Sequence, residues 1–362
     1  MERFLIRRAA DNIRLTNKYY LLYYGRMREV FTSETIPQKD WRQTPPPDGW
    51  DKVVCSRIKA DNGLGIYIAD ARQKDYPRKN DRNTTVILPP WADGTYHNPI
   101  SQARAKVTAA LENGLVIYVD NPGVELETPR MDRDVRWALC QGNFEPGAIE
   151  QWDAISQALD GAGLDFNAIN RVIGYSLGAH VAAAIARTAP GEVYLDRLDL
   201  WEAAGLSEDY KNGLAGFCKF VGNFLQHGSD QCPEILQINP NWAAELREVD
   251  LKSTLAKLAI RRTAGMACYP IAINRHNIAE TIVKAKDRKN PAIDGDTTVT
   301  VLNGTESLIS PSSCNDRLAQ RLAHAGLKVA RFESEGGVHA SQDNLGWWSS
   351  MQRQISQTIS RL

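Results

Sequence analysis

Excess charge of either sign is missing from the sequence, because 43 Lys and Arg residues balance 43 Asp and Glu residues in a chain of 362. A dedicated nucleic-acid binder needs a basic surface to neutralise phosphates, so we expect no nucleic-acid partner. Long apolar runs are also missing, since none approaches the roughly 18 residues that a membrane-spanning helix requires. Residues 1–8, MERFLIRR, interrupt their apolar positions with charges and lack the apolar core of a signal peptide. We therefore expect a cytoplasmic protein without a membrane span.

Motifs for metal, nucleotide and dithiol chemistry are absent as well. The six cysteines are scattered and no two have zinc-ribbon or dithiol spacing, which favours reduced and mostly buried thiols. The sequence has no His-Glu-x-x-His, no Gly-x-Gly-x-x-Gly after a strand and no phosphate-binding Gly-Lys-Ser/Thr loop. We expect neither a metal nor an organic cofactor.

The composition is that of an ordinary globular protein, with 43% hydrophobic and 24% charged residues. Residues 1–50 are predicted to form an N-terminal extension that packs as an arm on the body and is broken by PPPDG at residues 45–49. Residues 51–205 and 295–362 are predicted to form an α/β core. Residues 206–294 indicate helices without a convincing strand, which predicts a helical cap inserted into that core.

Strand-length apolar runs alternate with segments of helical period through the predicted core. Runs at residues 53–55 and 65–68 flank the turn signal Asp61-Asn62-Gly63, which predicts an antiparallel hairpin. Six further strands are predicted, at residues 85–88, 115–119, 171–174, 197–201, 298–302 and 328–332. Helices are predicted at residues 101–113, 148–162, 178–188, 314–325 and 345–362, and in the cap at 207–226, 233–262 and 276–287. The alternation is typical of βα units around a mostly parallel sheet.

The most specific motif is Gly174-Tyr175-Ser176-Leu177-Gly178, which lies between a predicted strand and a predicted small-residue helix. Strand, sharp turn and helix in this order form the context of a nucleophile elbow, whose serine is held in a strained conformation. Glycines two residues to either side leave room for the strand and the helix to pack. The motif predicts Ser176 as a nucleophile, and the alternative is a structural turn serine.

From about residue 52 to residue 362, the strand order, the elbow and a late histidine together resemble the α/β-hydrolase superfamily. The resemblance implies the α/β-hydrolase fold: a mostly parallel, eight-stranded sheet flanked by helices, here with a helical cap insertion. It also implies a nucleophile, an acid and a histidine in that chain order, on loops at the strand ends. It does not imply a substrate.

A serine hydroxyl becomes an effective nucleophile when a histidine takes its proton. His339 follows the predicted strand at residues 328–332 and precedes the last helix, where the superfamily places its base. His180 and His276, like the remaining histidines, are expected to be satisfied or solvated. His97 differs because it follows the strand at residues 85–88, so we list it with Tyr175 as a candidate for contacting substrate.

The acid is the least regular member of the predicted triad. The superfamily usually places an Asp after the penultimate strand in a Gly-x-x-Asp turn, but after Gly304 this sequence has Ser307 at that spacing. Shortening the turn by one residue makes Glu306 the first choice. The superfamily also has a variant with the acid after the preceding strand, where Glu202 is the alternative. At either place a carboxylate would hold the histidine tautomer and stabilise the imidazolium.

Two backbone N–H groups are needed to bind the oxyanion of the reaction. The resemblance implies Leu177 N–H, directly after the nucleophile, as the first donor. The second should come from the loop that follows the strand at residues 85–88. Pro89 and Pro90 lack an N–H, so Trp91 is the first residue there that is able to donate.

These residues predict a serine hydrolase that forms an acyl-enzyme on Ser176 and cleaves a carboxylic ester or thioester of a small acyl substrate. An acyltransferase or an amidase or peptidase would use the same triad, and these alternatives stay open. A non-catalytic binding module on the same fold is a further alternative, motivated by the irregular turn at Ser307.

Overall fold

The computed structural model describes residues 31–42, 44–72, 82–91, 99–123, 131–207, 210, 215–216, 218–220, 222–223 and 263–361. Nine β-strands lie within these residues and join in one sheet. In chain order they are β1 (Phe31–Ile36), β2 (Val54–Lys59), β3 (Gly65–Asp70), β4 (Thr84–Leu88), β5 (Leu115–Val119), β6 (Ile169–Tyr175), β7 (Arg197–Trp201), β8 (Thr298–Gly304) and β9 (Lys328–Ser334).

Nine α-helices lie in the same described ranges. They are α1 (Gln38–Arg42), α2 (Pro99–Glu112), α3 (Arg133–Cys140), α4 (Glu145–Gly161), α5 (Leu177–Thr188), α6 (Thr263–Arg275), α7 (Ile278–Lys286), α8 (Ser312–His324) and α9 (Leu345–Ile359). Short 3-10 turns occur at Trp50–Lys52, Phe166–Ala168 and His339–Asp343. No helix of the described residues has the length and apolar content needed to cross a membrane.

The predicted hairpin and the six predicted core strands are all present, four of the six being longer than predicted by one to three residues. The predicted helix at 276–287 corresponds to α7. The predicted helix at 233–262 and most of that at 207–226 lie outside the described residues. The division into extension, core and cap stays a prediction.

The sheet has nine strands rather than the expected eight. The additional strand is β1, which lies in the predicted N-terminal extension and pairs with β9 in parallel. Its sequence, FTSETI, contains no strand-length apolar run, and Ile36 is its one fully buried residue. The segment is therefore a strand because it pairs with the edge of the sheet, although its local sequence pattern does not predict one. The extension thus joins the sheet instead of only lying on it.

The strand order is β1-β9-β8-β7-β6-β4-β5-β3-β2. Within this sheet β3 is the one strand that runs in the opposite direction to the others, since it pairs in an antiparallel manner with both β2 and β5. The order reverses at β4, which lies between β5 and β6. Crevices for ligands form outside the carboxyl ends of parallel strands at such a switch point.

Helices cover both faces of the sheet, which explains why the central strands are continuous apolar runs. Helices α2 and α9, with Trp41 of α1, bury one face, and their core includes Val107, Trp347 and Met351. Helices α3 to α8 bury the other face. All five residues of β4, β5 and β7 are buried.

One ionic cluster lies inside the structure, on β6 and β7. The Asp199 carboxylate is fully buried and accepts hydrogen bonds from Arg171 Nε at 2.6 Å and from Arg197 Nε at 2.7 Å. Burial alone would raise the pKa of Asp199, but the two guanidinium groups and the Thr300 hydroxyl hold that pKa below its ordinary value. The cluster is therefore charged, and its members depend on one another.

We predict that Asp199→Asn lowers the free energy of unfolding by about 3 to 5 kcal/mol, because it leaves the buried Arg197 guanidinium without a paired carboxylate and leaves Arg171 with Glu112 alone. The matched control is Asp196→Asn. Asp196 contacts Arg82 at 3.1 Å with 55% of its side chain exposed, so its loss should cost less than about 1 kcal/mol. Urea unfolding at pH 7 measures both, and equal losses in the two variants would contradict a charged buried cluster.

Candidate active site

Ser176 lies in the turn between β6 and α5. Its backbone has a φ of +55°, which is rare for a non-glycine residue and costs about 1 to 3 kcal/mol. The turn is possible because of two neighbouring glycines. A Cβ on Gly174 would overlap Gly178 O, and a Cβ on Gly178 would overlap Leu88 O at the end of β4. The strand and the helix thus cross too closely for any side chain at these two positions.

His339 lies in the loop after β9 and begins a 3-10 turn. Its Nε2 is 2.9 Å from Ser176 Oγ, although 163 residues separate the two in the chain. Both side chains are buried, with exposures of 5% for His339 and 3% for Ser176. A neutral imidazole at this distance is placed to accept the hydroxyl proton.

Glu202 follows β7 directly and is fully buried. Its Oε2 is 3.2 Å from His339 Nδ1. A carboxylate can only accept, so the proton of the neutral imidazole is assigned to Nδ1, and the lone pair of Nε2 then faces Ser176. The register of β6 and β7 explains why these side chains lie close together. Tyr175 pairs with Trp201, so Ser176 and Glu202 are the next residues after two paired positions on adjacent strands.

Glu306, the first choice of acid from the sequence, lies elsewhere. Its side chain is exposed, and its backbone N–H donates to Gly337 O at 2.9 Å. The next residue of that turn, Ser307, faces inward instead. Its hydroxyl donates to Glu202 Oε2 at 2.6 Å. The structure thus brings Ser176 and His339 together with Glu202, the alternative acid, and leaves Glu306 at the surface.

The order of strands from β2 to β9, with a strained serine between β6 and α5, is that of the α/β-hydrolase superfamily. The chain has the α/β-hydrolase fold. No family model and no curated protein sequence matches it.

Three solved α/β-hydrolase structures illustrate the likeness, each at 14% identity. An enol-lactonase from Burkholderia xenovorans LB400 covers 84% of this chain and 100% of its own length, with a TM-score of 0.49. An esterase from Pyrobaculum calidifontis covers 89% and 87%, with a TM-score of 0.45. The thioesterase domain from the curacin biosynthetic pathway covers 83% and 98%, with a TM-score of 0.46. These similarities concern the fold alone and do not assign any of these activities to this chain.

The predicted oxyanion donors, Leu177 and Trp91, belong to two segments of this α/β-hydrolase fold, the start of α5 and the loop after β4. Leu177 is the first residue of α5, where backbone N–H groups have no partner within the helix. Gly178 packs so closely on Leu88 and Pro89 that the loop carrying Trp91 begins against the elbow. Trp91 is half-buried and packs on the core of the α5 face. Residues 92–98, which include His97, lie outside the described residues.

Tyr175, predicted to contact substrate, is buried in the core with 1% exposure. Successive side chains of a strand point to opposite faces, and Tyr175 faces the side covered by α2 and α9. Its hydroxyl donates to His339 O, and its ring packs near Trp347 and Trp348. These contacts join Tyr175 to the segment that carries His339 and to the core, and its contact with substrate stays a prediction.

The loop that carries His339 is held by the N-terminal strand and helix. Glu335 N–H donates to Ile36 O at 2.9 Å, and Trp41 Nε1 donates to Glu335 O at 3.2 Å. Gln38 N–H also reaches Glu335 Oε2 at 3.3 Å. Residues of the predicted arm thus fix both backbone groups of a residue four positions before the histidine.

A buried pair of histidines connects α5 with the residue that follows α6. His180 Nε2 is 2.8 Å from Ala204 O, and His180 Nδ1 is 2.9 Å from His276 Nδ1. A carbonyl only accepts, so His180 carries its proton on Nε2 and accepts at Nδ1 from His276. His276 Nε2 then accepts from the Thr281 hydroxyl at 2.7 Å. The sequence predicted satisfied or solvated histidines here but gave no sign that the two meet.

Both rings of this pair are neutral. Burial lowers the pKa of His180 to about 4, although its bond to Ala204 O opposes the shift. Burial also lowers the pKa of His276 well below its usual value, and His180 beside it adds to the effect. If the His180 ring gained a proton, both Nδ1 atoms would carry a hydrogen, and the two N–H groups would repel each other across 2.9 Å.

We predict that this pair makes the fold less stable in acid. Below pH 6.5 the unfolded chain takes up protons on these histidines, while in the folded chain His180 stays neutral until the pH nears 4 and His276 also resists protonation. His180 should therefore remove roughly 2 kcal/mol of stability between pH 7 and pH 5, and His276 should add a loss in the same direction. The double variant His180→Leu/His276→Leu should show a correspondingly smaller loss in urea unfolding.

The control for this prediction is His324→Leu, since His324 is exposed on α8. It should keep the wild-type dependence of stability on pH. An unchanged dependence in the double variant would mean that the buried pair is not the group that resists protonation.

Proposed function

We propose that the chain is a serine hydrolase that cleaves a carboxylic ester or thioester through an acyl-enzyme on Ser176. The observation that carries the proposal is the continuous buried contact from Glu202 through His339 to Ser176, with distances of 3.2 Å and 2.9 Å. A nucleophile, a base in contact with it and a third group that orients the base form the arrangement needed to activate a serine hydroxyl.

The reaction follows from these positions. Ser176 Oγ attacks the carbonyl carbon of the substrate while His339 Nε2 takes the hydroxyl proton. The imidazolium then gives this proton to the departing alcohol or thiol as the carbon–oxygen or carbon–sulfur bond breaks. A water molecule, deprotonated by His339, attacks the acyl-enzyme and releases the carboxylic acid with Ser176 restored.

Glu202 is proposed as the acid of the triad. Its carboxylate keeps the proton of the neutral imidazole on Nδ1 and stabilises the positive charge that develops when Nε2 is protonated. Burial strengthens this interaction because water does not screen it. Glu306, which is exposed, has no part in the proposal.

The oxyanion of the tetrahedral intermediate is proposed to accept hydrogen bonds from the backbone N–H groups of Leu177 and Trp91. The support for Leu177 is its place as the first residue of α5, where the helix dipole also favours negative charge. The support for Trp91 is the close packing of its loop on Gly178.

Residues 206–294 are proposed as a cap that selects the acyl substrate.

Ser176→Ala should abolish hydrolysis of p-nitrophenyl esters of short- and medium-chain acids, with a loss of at least about a thousandfold in kcat/KM. Released p-nitrophenol is followed with time for the wild type and the variant in parallel. Ser360→Ala, at an exposed serine after α9, is the matched control and should retain full activity. Turnover that survives in Ser176→Ala would place the reaction elsewhere in the protein.

Glu202→Gln should lower kcat by at least about tenfold, and by up to about 10⁴-fold, because the amide no longer fixes the imidazole tautomer. Glu306→Gln should stay within about twofold of the wild type. Both variants are assayed with the same ester, and circular dichroism and thermal unfolding verify that each is folded. A large loss in Glu306→Gln with none in Glu202→Gln would reverse the assignment of the acid.

A further inference from the structure

We propose that Ser307 is a positioning residue for the reaction, and that its hydroxyl holds the Glu202 carboxylate in the orientation in which it meets His339. The proposal rests on the proposed function, since it concerns the acid of that same triad. Ser307 is the residue that stands where the superfamily's Gly-x-x-Asp turn has its Asp, and the proposal gives this departure a function.

The Glu202 carboxylate has three hydrogen-bond partners, and two of them come from one short segment. Gly304 N–H donates to Oε1, while the Ser307 hydroxyl and His339 Nδ1 both contact Oε2. Glu202 is fully buried and Ser307 is 95% buried, with an exposure of 5%. Gly304 N–H holds Oε1, and the Ser307 hydroxyl is the second donor that holds Oε2, so without this hydroxyl the longer contact with His339 at 3.2 Å would alone position that oxygen.

The hydroxyl proton of Ser307 is committed to the carboxylate. A serine hydroxyl has one proton and two lone pairs, and Ser307 Oγ already accepts the backbone N–H of Ser310 at 3.2 Å. The proton is therefore available for Glu202 Oε2, which lies at 2.6 Å. This short distance is typical of a charge-assisted O–H···O⁻ hydrogen bond.

The turn that presents Ser307 is itself anchored on the histidine loop. Ser307 N–H donates to Gly304 O at 3.2 Å, and Glu306 N–H donates to Gly337 O at 2.9 Å. Gly304 lies so close to Gly337 that a Cβ would overlap the carbonyl of the latter. The serine is thus held rigidly relative to both ends of the Glu202–His339 contact.

Two consequences separate this role from simple packing. Without the hydroxyl, the carboxylate is less well oriented, so the imidazole loses part of its alignment and kcat falls. Oε2 also loses a donor and becomes more basic, which favours the protonated imidazole. The titratable groups that contact this site are Glu202, His339 and Tyr175, whose hydroxyl donates to His339 O.

Ser307→Ala should lower kcat about tenfold, the size of one hydrogen bond to a charged group, with KM nearly unchanged because the hydroxyl faces the acid and not the substrate. The acid limb of the kcat/KM profile should move to higher pH, because a carboxylate that has lost a donor favours the protonated imidazole. The matched control is Ser310→Ala, in the same buried turn, whose hydroxyl accepts from Asn315 at 2.9 Å and does not contact Glu202. It should stay within about twofold of the wild type.

A double-mutant cycle decides whether Ser307 acts through Glu202. In the Glu202→Gln background, adding Ser307→Ala should cause no further loss in kcat, because the carboxylate that the hydroxyl orients is already gone. An equal loss in both backgrounds, or an unchanged kcat and pH profile in Ser307→Ala, would overturn the proposal. These outcomes are distinct from failure of the proposed function, which would show as activity retained in Ser176→Ala.

Discussion

A carboxylate without access to solvent must be hydrogen-bonded, and the candidate site is built around this requirement at Glu202. Its partners come from two other segments: the end of β8 supplies Gly304 and Ser307, and the loop after β9 supplies His339. The next contact, from His339 to Ser176, reaches the end of β6. Parallel pairing of β6, β7, β8 and β9 places these four strand ends side by side.

The segments around this hydrogen-bond chain restrict its movement from the outside. The N-terminal strand and helix bind Glu335 and so hold the loop that carries the histidine. His180 bonds Ala204 O, two residues after the acid, and is itself bonded by His276 after α6. The segments that carry His339 and Glu202 are therefore each supported by elements that lie far away in the sequence.

Backbone strain is concentrated at two positions of the candidate site. Ser176 and Glu202 are two of the three non-glycine residues with positive φ in the described part of the chain. Backbone hydrogen bonds compensate at both positions, since Ser176 N–H donates to Trp201 O and Glu202 N–H donates to Leu302 O. The strand ladder thus continues one residue beyond β6 and β7 and holds the two side chains in place.

Much of this arrangement was predictable from sequence, because strand-length apolar runs and a glycine-flanked serine are local patterns. The order of the core strands, Ser176 and His339 followed from such patterns and from the superfamily resemblance. The carboxylate that contacts His339 did not, because the choice between Glu202 and Glu306 depends on which side chain of a turn faces inward. The polar strand β1 and the contact between His180 and His276 were likewise beyond local patterns, since each depends on segments that meet only in the fold.

The most direct test of this account is the site of reaction with a fluorophosphonate, which phosphonylates only an activated serine. Intact-protein and peptide mass spectrometry would measure how many groups bind and where. The account predicts one phosphonyl group per chain, on the peptide that contains Ser176, and its loss in His339→Ala. An unlabelled wild type, or a label on another residue, would contradict the claim that Glu202 and His339 activate Ser176.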